Sequence, residues 1–527
     1  MSAERGWVPL PRPAERGELD AVLAAASQAS PESSLQIDVD PISQAPILGG
    51  TAPEWGQVIS AGHAAAAAWR RLRSDPASDV VVDLDGPDAQ EARGSEHGAP
   101  RPGAVQPLVV QPPAARVCPE ASAAARLGAR EPAAHDPAAG EPATDGEPRA
   151  GLPVPPSSAD AVVIGGGIIG LAVAEALGRE GQAVVVLEAS GSLGSGTTHW
   201  NNGMVHPGHD PHPGTLKAAL NVAGNAAWGA LARRIGLPFH RSGSLVVAHH
   251  EGEAQKLGDL LARATANGVP GVAVVDGAAA RAMEPRLNRD IIAALSTPST
   301  AMIDAVEATR ALAVAVRALG GEVFLSCPVT AIDVAGGEVY GVSSPAGHIA
   351  APLVVNAAGI RADQLAATTG SRRYSLHARR GSLVLFDPGA ADAYPLSVGP
   401  VPGAYSKGGG MTARPDGMTT CGPSAVEQRS RVALPPQEAE LESLLAVGHR
   451  IYPDFPFGSA AALGSEVRPV TYSEDFMVSP APAVRGLVDA AGTQSPGIAS
   501  APAIAASVVS QLRACGALPL PQRMRRH

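Results

Sequence analysis

Gly165, Gly167 and Gly170 form a G-x-G-x-x-G run, and Glu188 follows 18 residues after the last of them. That spacing suits the binding of a dinucleotide. Gly165 permits a tight strand-to-helix turn, Gly167 lets backbone approach a pyrophosphate, and Gly170 lets the helix pack closely on the strand. Free N–H groups and the dipole at the helix N-terminus favour phosphate. Glu188 can accept hydrogen bonds from a ribose diol and disfavours the additional 2′-phosphate of NADP. Such a run is a weak signal alone and a strong one inside a complete βαβ unit with the spaced acid. The fingerprint by itself does not decide between FAD and NAD.

A second concentration of reactive side chains is His199, His206, His209 and His212. Imidazoles ligate metals and move protons near neutral pH. Here the spacing, broken by proline and glycine, keeps them on no common helical face, and only Asp210 joins them, so no metal is expected. The cysteines Cys118, Cys327, Cys421 and Cys515 lie far apart with no C-x-x-C pair, so neither an iron–sulfur cluster nor a zinc ribbon is indicated. Few, scattered cysteines point to a reducing cytoplasm.

The elements that must hold these residues are legible around them. "AVVIGGG" (161–167) reads as a buried strand, "IIGLAVAEALGREG" as a helix and "AVVVLEAS" as a second buried strand. Continuous β-branched runs bounded by turns predict parallel strands covered on both faces. Downstream, "GTLKAALNVAGNAAWGALARRIG" reads as a long helix, "HRSGSLVVAHH" as a strand, and a further helix ends at Asn267-Gly268. "VEATRALAVAVRALGG" is another helix, a hairpin turns at Gly336-Gly337, and "PLVVNAAGI" is again a buried strand. The last stretch, "GLVDAAGTQSPGIASAPAIAASVVSQLRA", gives strand, loop and long helix, and no internal repeat is found.

Upstream the texture differs. Residues 93–158 repeat Pro, Ala, Gly and Glu with almost no aromatics, so they bury too little apolar surface to offset ordering entropy and are expected to form an extended linker. Residues 1–92 form an extension of unassigned function, partly structured, with a helix predicted over 58–75 and a strand over 79–84. A net charge of −10 without a basic run argues against nucleic acid as a partner. The first ten residues lack the pattern of a secretory signal, and no apolar run reaches about 18 residues, so no integral membrane span is expected. Peripheral membrane association stays open.

The segment "GSGTTHWNNGMVHPGHDPHPGTLKAALNVAGN" (194–225) resembles the stretch after the second strand in FAD-dependent oxidoreductases of the D-amino-acid-oxidase-like (DAO) class. Within that class it is similar to the branch of glycerol-3-phosphate dehydrogenases and L-2-hydroxyglutarate oxidases. The likeness continues in order through "MEPRLNRDIIAALSTPSTAMIDAVEAT", "VVNAAGIRADQLA", "RRGSLVLF", "DGMTTCGPSA" and "AGTQSPGIASAPAIA", and spans 159–515. It implies an α/β fold. A Rossmann-like FAD-binding domain (about 159–235, 300–372 and 470–515) would sit beside a mainly antiparallel β substrate domain (about 236–299 and 373–469), behind the disordered extension and ahead of a tail at 516–527.

The resemblance also implies roles. FAD is the cofactor. Thr197, Thr198 and Gly203 would lie along pyrophosphate and flavin, and Val329 near adenine. Ala358 and Gly359 would form the second flavin motif, and Gly497 and Ile498 would close over the pyrimidine end of the flavin. His206 matches a histidine near the flavin face, suited to take a hydroxyl proton while hydride leaves for the flavin. Arg468 matches an arginine that contacts the anionic end of the substrate, and Arg380 is a second clamp candidate. The implied activity is oxidation of a small anionic secondary alcohol, a 2-hydroxy acid such as 2-hydroxyglutarate or glycerol 3-phosphate. Amine or amino-acid oxidation and flavin binding without turnover are the alternatives. Electrons would pass to oxygen, a quinone or another acceptor. The chain departs from the family pattern at His199-Trp200, Asn202, the glycine-rich "SKGGGMTARPDG", Ser465-Glu466 and Ala499, mostly around the substrate cavity.

Overall fold

The computed structural model describes residues 154–370, 373–387, 396–403 and 408–518, and the backbone of three antiparallel strands at Glu4–Pro9, Ser34–Val39 and Pro46–Ala52. The helix expected over 58–75, the strand expected over 79–84, nearly all of the linker and most of the tail lie outside the described residues.

In chain order, β1 (Ala161–Ile164), α1 (Ile168–Arg179) and β2 (Val184–Leu187) make the first βαβ unit. β3 (Met204–Val205) and α2 (Leu216–Ile235) follow, then β4 (Ser244–Ala248), α3 (Glu251–Ala266), β5 (Ala273–Asp276) and β6 (Ala293–Ser296). β7 (Ala301–Met302), α4 (Ala305–Ala318) and β8 (Glu322–Phe324) return to the first unit. A meander, β9 (Ala331–Ala335), β10 (Glu338–Ser344) and β11 (Gly347–Ala350), leads into β12 (Leu353–Asn356). The strands β13 (Leu376–Phe386), β14 (Ser397–Pro400), β15 (Met411–Ala413), β16 (Thr419–Cys421) and β17 (Val426–Gln428) precede α5 (Glu438–Ile451). The chain ends on β18 (Ala460–Thr471), β19 (Met477–Pro480), β20 (Leu487–Ala491) and α6 (Gly497–Ala514).

Two sheets organise these elements. The first has the order β8-β2-β1-β12-β20-β19, parallel throughout except for the edge strand β19. Its strands are short apolar runs, and β1, β2, β12 and β20 are buried along their whole length, as expected of parallel strands with both faces covered. Helices α1, α2, α4 and α6 supply one covering layer through Leu171, Trp228, Leu312 and Ile504, and the meander covers the other face through Ile332, Val342 and Ile349. The second sheet has the order β17-β13-β16-β15-β14-β4-β6-β5, with β18 paired to β13. All its pairings are antiparallel except β14 with β4. It carries its own core, in which Val384, Phe386 and Met411 pack against Leu441 and Leu444 of α5.

Caps and register fix how the elements meet. Thr215 caps α2 through Ala218 N at 3.1 Å, and Asp475, 259 residues away from Leu216, accepts from Leu216 N (2.9 Å) and Lys217 N (2.7 Å). Together they satisfy three of the four N–H groups that a helix start leaves open. Gly224 of α2 lies directly against the backbone of α6, where any side chain would collide with Ala499. One boundary differs from expectation. Ser157 and Ala159 already exchange backbone hydrogen bonds with Ala350 of β11, each at 2.9 Å, so the folded unit begins within residues assigned to the linker.

Candidate active site

The turn after β1 shows which of its glycines the protein needs for itself. Gly165 has φ +109°, and a Cβ there would collide with Ala357 of the neighbouring crossover. A Cβ on Gly170 would strike the carbonyl of Gly165. Gly167 is different, because a Cβ there would meet only Thr198 Oγ1, at 3.4 Å, and otherwise point into open space. Glu188 ties the turn together, accepting from Gly166 N at 2.6 Å and from Ser190 N at 2.8 Å. Gly167 is also the N-cap of α1 and brings no side chain to it; Thr198 Oγ1 accepts from Ile168 N at 3.3 Å.

That turn opens one end of a cavity of about 770 Å³ running from the first sheet to the second. Gly165, Gly167, Gly170, Glu188, Thr197, Thr198, Val329, Ala358, Gly359, Gly497 and Ile498 all lie on its wall. Gly203 does not. Its φ is +71° and it is pressed against the Ile303 carbonyl, so it seats β3 against the segment after β7. The threonines also brace the loop, since Thr197 Oγ1 donates to Val467 O of β18 at 2.6 Å.

His206, His209, Trp200, Glu466 and Arg468 form the wall nearer the second sheet. The backbone of His206 is fixed by α2: Asn221 Nδ2 donates to its carbonyl at 2.8 Å and Asn225 Nδ2 at 3.1 Å. These asparagines were missed in the sequence, although they stand four apart on one helix and therefore share a face. Arg468 donates through Nη2 to the carbonyls of Arg380 (3.3 Å) and Ser424, while its Nε is buried without a hydrogen-bond partner. Burial and the nearby Arg379 charge pull the guanidinium down to about 10, which leaves it cationic at neutral pH.

Arg380 stands elsewhere than expected. Register sets Arg379 opposite Arg468, Arg380 opposite Val467 and Gly381 opposite Glu466. Side chains alternate along a strand, so 379 and 381 share a face with 466 and 468, and 380 points away. The Arg380 guanidinium pairs with Glu440 of α5 at 2.6 Å, both nearly buried, and is absent from the cavity wall. Arg379 shares the strand face of Arg468 but does not reach the cavity wall, being engaged by Glu427 (2.5 Å) and Glu474 (2.6 Å). The residue that serves the site on this strand is Gly381, whose missing side chain leaves room for Arg468; a Cβ there would stand 2.9 Å from Nη2.

Comparison with known proteins identifies the family. The FAD dependent oxidoreductase (DAO) family model matches residues 160–511. Glycerol 3-phosphate dehydrogenase of Caloramator mitchellensis is 30% identical over 355 residues, 67% of this chain and 74% of that protein. The mitochondrial L-2-hydroxyglutarate dehydrogenase of Homo sapiens is 29% identical over 286 residues, 51% of this chain and 61% of that protein. Among solved structures, the dithionite-reduced L-alpha-glycerophosphate oxidase of Mycoplasma pneumoniae, with FAD bound, superposes with a TM-score of 0.63 at 26% identity, covering 68% of this chain and 95% of that one. The residues present fit FAD. A glycine with open space in front of it sits at one helix N-terminus, the acid Glu188 lines the wall beside it, and the start of a second helix, α6, lines the same cavity. Residues 160–511 thus belong to the DAO family, and the chain is an FAD-dependent oxidoreductase.

Proposed function

We propose that the enzyme oxidises a small anionic secondary alcohol, a 2-hydroxy acid or glycerol 3-phosphate. The observation that carries this reading is that an imidazole, His206, and a guanidinium, Arg468, reach the wall of one cavity from different elements. Arg468 holds the carboxylate or phosphate by charge-assisted hydrogen bonds through its inward N–H groups. His206, its backbone held by α2, takes the hydroxyl proton. Bound FAD supplies the acceptor for the hydrogen and electron pair that leave the carbinol carbon. The relatives named for glycerol 3-phosphate and L-2-hydroxyglutarate support this substrate class.

In the same reading, Gly167 and Thr198 face the pyrophosphate, Glu188 the ribose, Val329 the adenine, and Thr197, Ala358, Gly359, Gly497 and Ile498 the flavin. Arg380 and Gly203 drop out of the direct contacts. The FAD-binding part comprises about 159–235, 300–372 and 470–515, and the substrate part about 236–299 and 373–469. Among the described residues no helix is long and apolar enough to cross a membrane. The scattered cysteines support a cytoplasmic setting.

The test is an anaerobic screen of the yellow protein against glycerol 3-phosphate, 2-hydroxyglutarate, lactate and amino acids. Bleaching by a hydroxy compound is expected. Bleaching by amino acids alone would transfer the assignment to amine oxidation, a chemistry carried by proteins of the same fold such as the glycine oxidase of Bacillus cereus (TM-score 0.62, 19% identity).

A further inference from the structure

The cavity face of β18 presents three different chemistries at equal steps. Gly464 has no side chain, and the Trp200 indole lies directly over it. Glu466 comes next and Arg468 after that, all on one face. Residues two apart on a strand stand roughly 6.6 Å from each other. The guanidinium leans over Gly381, the cross-strand partner of Glu466. Even so, Glu466 and Arg468 form no ion pair. Among the described residues the Glu466 carboxyl accepts only from Val467 N, at 3.1 Å. A carboxyl with no ion-pair partner among the described residues therefore sits in the cavity close to Arg468, the group proposed to bind the anionic end of a substrate.

Such a carboxyl repels a second anion and welcomes a hydrogen-bond donor. We infer that Glu466 sets the substrate class: the site takes hydroxy compounds with one anionic end, held at Arg468, and a hydroxyl donor at the other, held at Glu466 beside Trp200, and it rejects dicarboxylates. The inference rests on the proposed role of Arg468 and goes further, because it separates substrates of the glycerol 3-phosphate type from those of the 2-hydroxyglutarate type. Burial pushes the Glu466 carboxyl up to about 7. The charged and titratable groups that share the cavity wall with it are Arg468 on its own strand and Arg361, Arg431, His206 and His209 from other elements, with Glu188 at the far end; Arg379, opposite Arg468 on β13, is held by Glu427 and Glu474. Rejection of diacids therefore strengthens as pH rises through neutrality.

Two non-reactive probes test this on the FAD-loaded protein. 2-Methylglycerate has one carboxylate and a terminal hydroxyl; citramalate has two carboxylates. Neither carries hydrogen on its tertiary carbinol carbon, so each binds without oxidation there, and binding is read from perturbation of the flavin absorbance. At pH 8 the wild type should favour 2-methylglycerate by at least about tenfold, the scale of a like-charge contact in a partly shielded cavity. In both Glu466→Gln and Glu466→Leu the preference should fall to within about threefold, chiefly through tighter citramalate, with flavin content retained. Equal affinities in the wild type, no perturbation by either probe, or an unchanged ratio in both variants would overturn the inference. A Glu466-dependent ratio in a protein that oxidises no secondary alcohol would sink the proposed reaction and leave the subsite standing.

Discussion

At the scale of residues, the three glycines of the nucleotide turn share a motif but not a job. Gly165 and Gly170 are demanded by neighbouring backbone, whereas Gly167 faces open space. Gly167→Val is expected to yield folded, colourless protein, with the 450-nm flavin band lost and the far-ultraviolet circular dichroism kept. Bulky residues at Gly165 or Gly170 should instead lose both. Arg468→Ala should weaken anionic substrates by tens- to thousands-fold, the consequence of losing about 2–5 kcal/mol of charge-assisted contact. His206→Ala should slow flavin reduction by about 10²–10⁴-fold, the span of a general base, with partial recovery at high pH, where the alcohol proton leaves more easily. Rapid-mixing measurements of flavin bleaching separate the two. If both variants were reduced at the wild-type rate with unchanged affinity, neither residue would belong to the chemistry.

At the scale of elements, the strand β13 explains why the wall at one end of the cavity was harder to read from sequence than the turn at the other. The nucleotide turn is local: strand, glycines and helix lie within twenty residues, so spacing alone reveals them. The wall at β13 and β18 depends on a pairing between segments some ninety residues apart, and a one-residue difference in register reverses which side chain faces in. Arg380 was therefore assigned to the right strand and the wrong face, and Glu466 was visible only as a departure from the family pattern. The consequence for Arg380 is structural. Arg380→Ala leaves the buried Glu440 without its cation, though still hydrogen-bonded by Ser424, which should cost up to about 3–5 kcal/mol in urea unfolding. Burial pushes the Glu440 carboxyl up, but the Ser382 and Ser424 hydroxyls and Arg380 outweigh it and hold it below its ordinary value of 4.5. A carboxylate held low contributes stability above that value, and the contribution is lost as pH falls through the lowered one. Wild-type stability should accordingly fall on acidification, and the variant, already lacking Arg380, should lose less over the same range.

At the scale of the whole molecule, the folded unit starts where Ser157 joins β11, while the preceding residues are rich in Pro, Ala and Gly. Limited proteolysis should cut within about 93–153 and leave a yellow core, and a chain beginning at Val154 should keep its flavin. Truncation at Ala159 removes the bonds to Ala350 and should lower the thermal midpoint of that core. Insoluble or colourless protein from the Val154 start would mean that the extension is an integral part of the fold. The order of the first sheet carries a different consequence. Its central strand β1 leads the folded unit in sequence, yet β12 beside it arrives almost two hundred residues later, and β20 and α6 arrive last of all. During synthesis β1 can pair with β2 at once, but its other edge has no partner until β12 has emerged, and α6, on the same cavity wall, follows later still. If FAD needs both the glycine turn and α6, its capture is expected to be late, and a nascent chain stalled before residue 487 should leave the ribosome without colour.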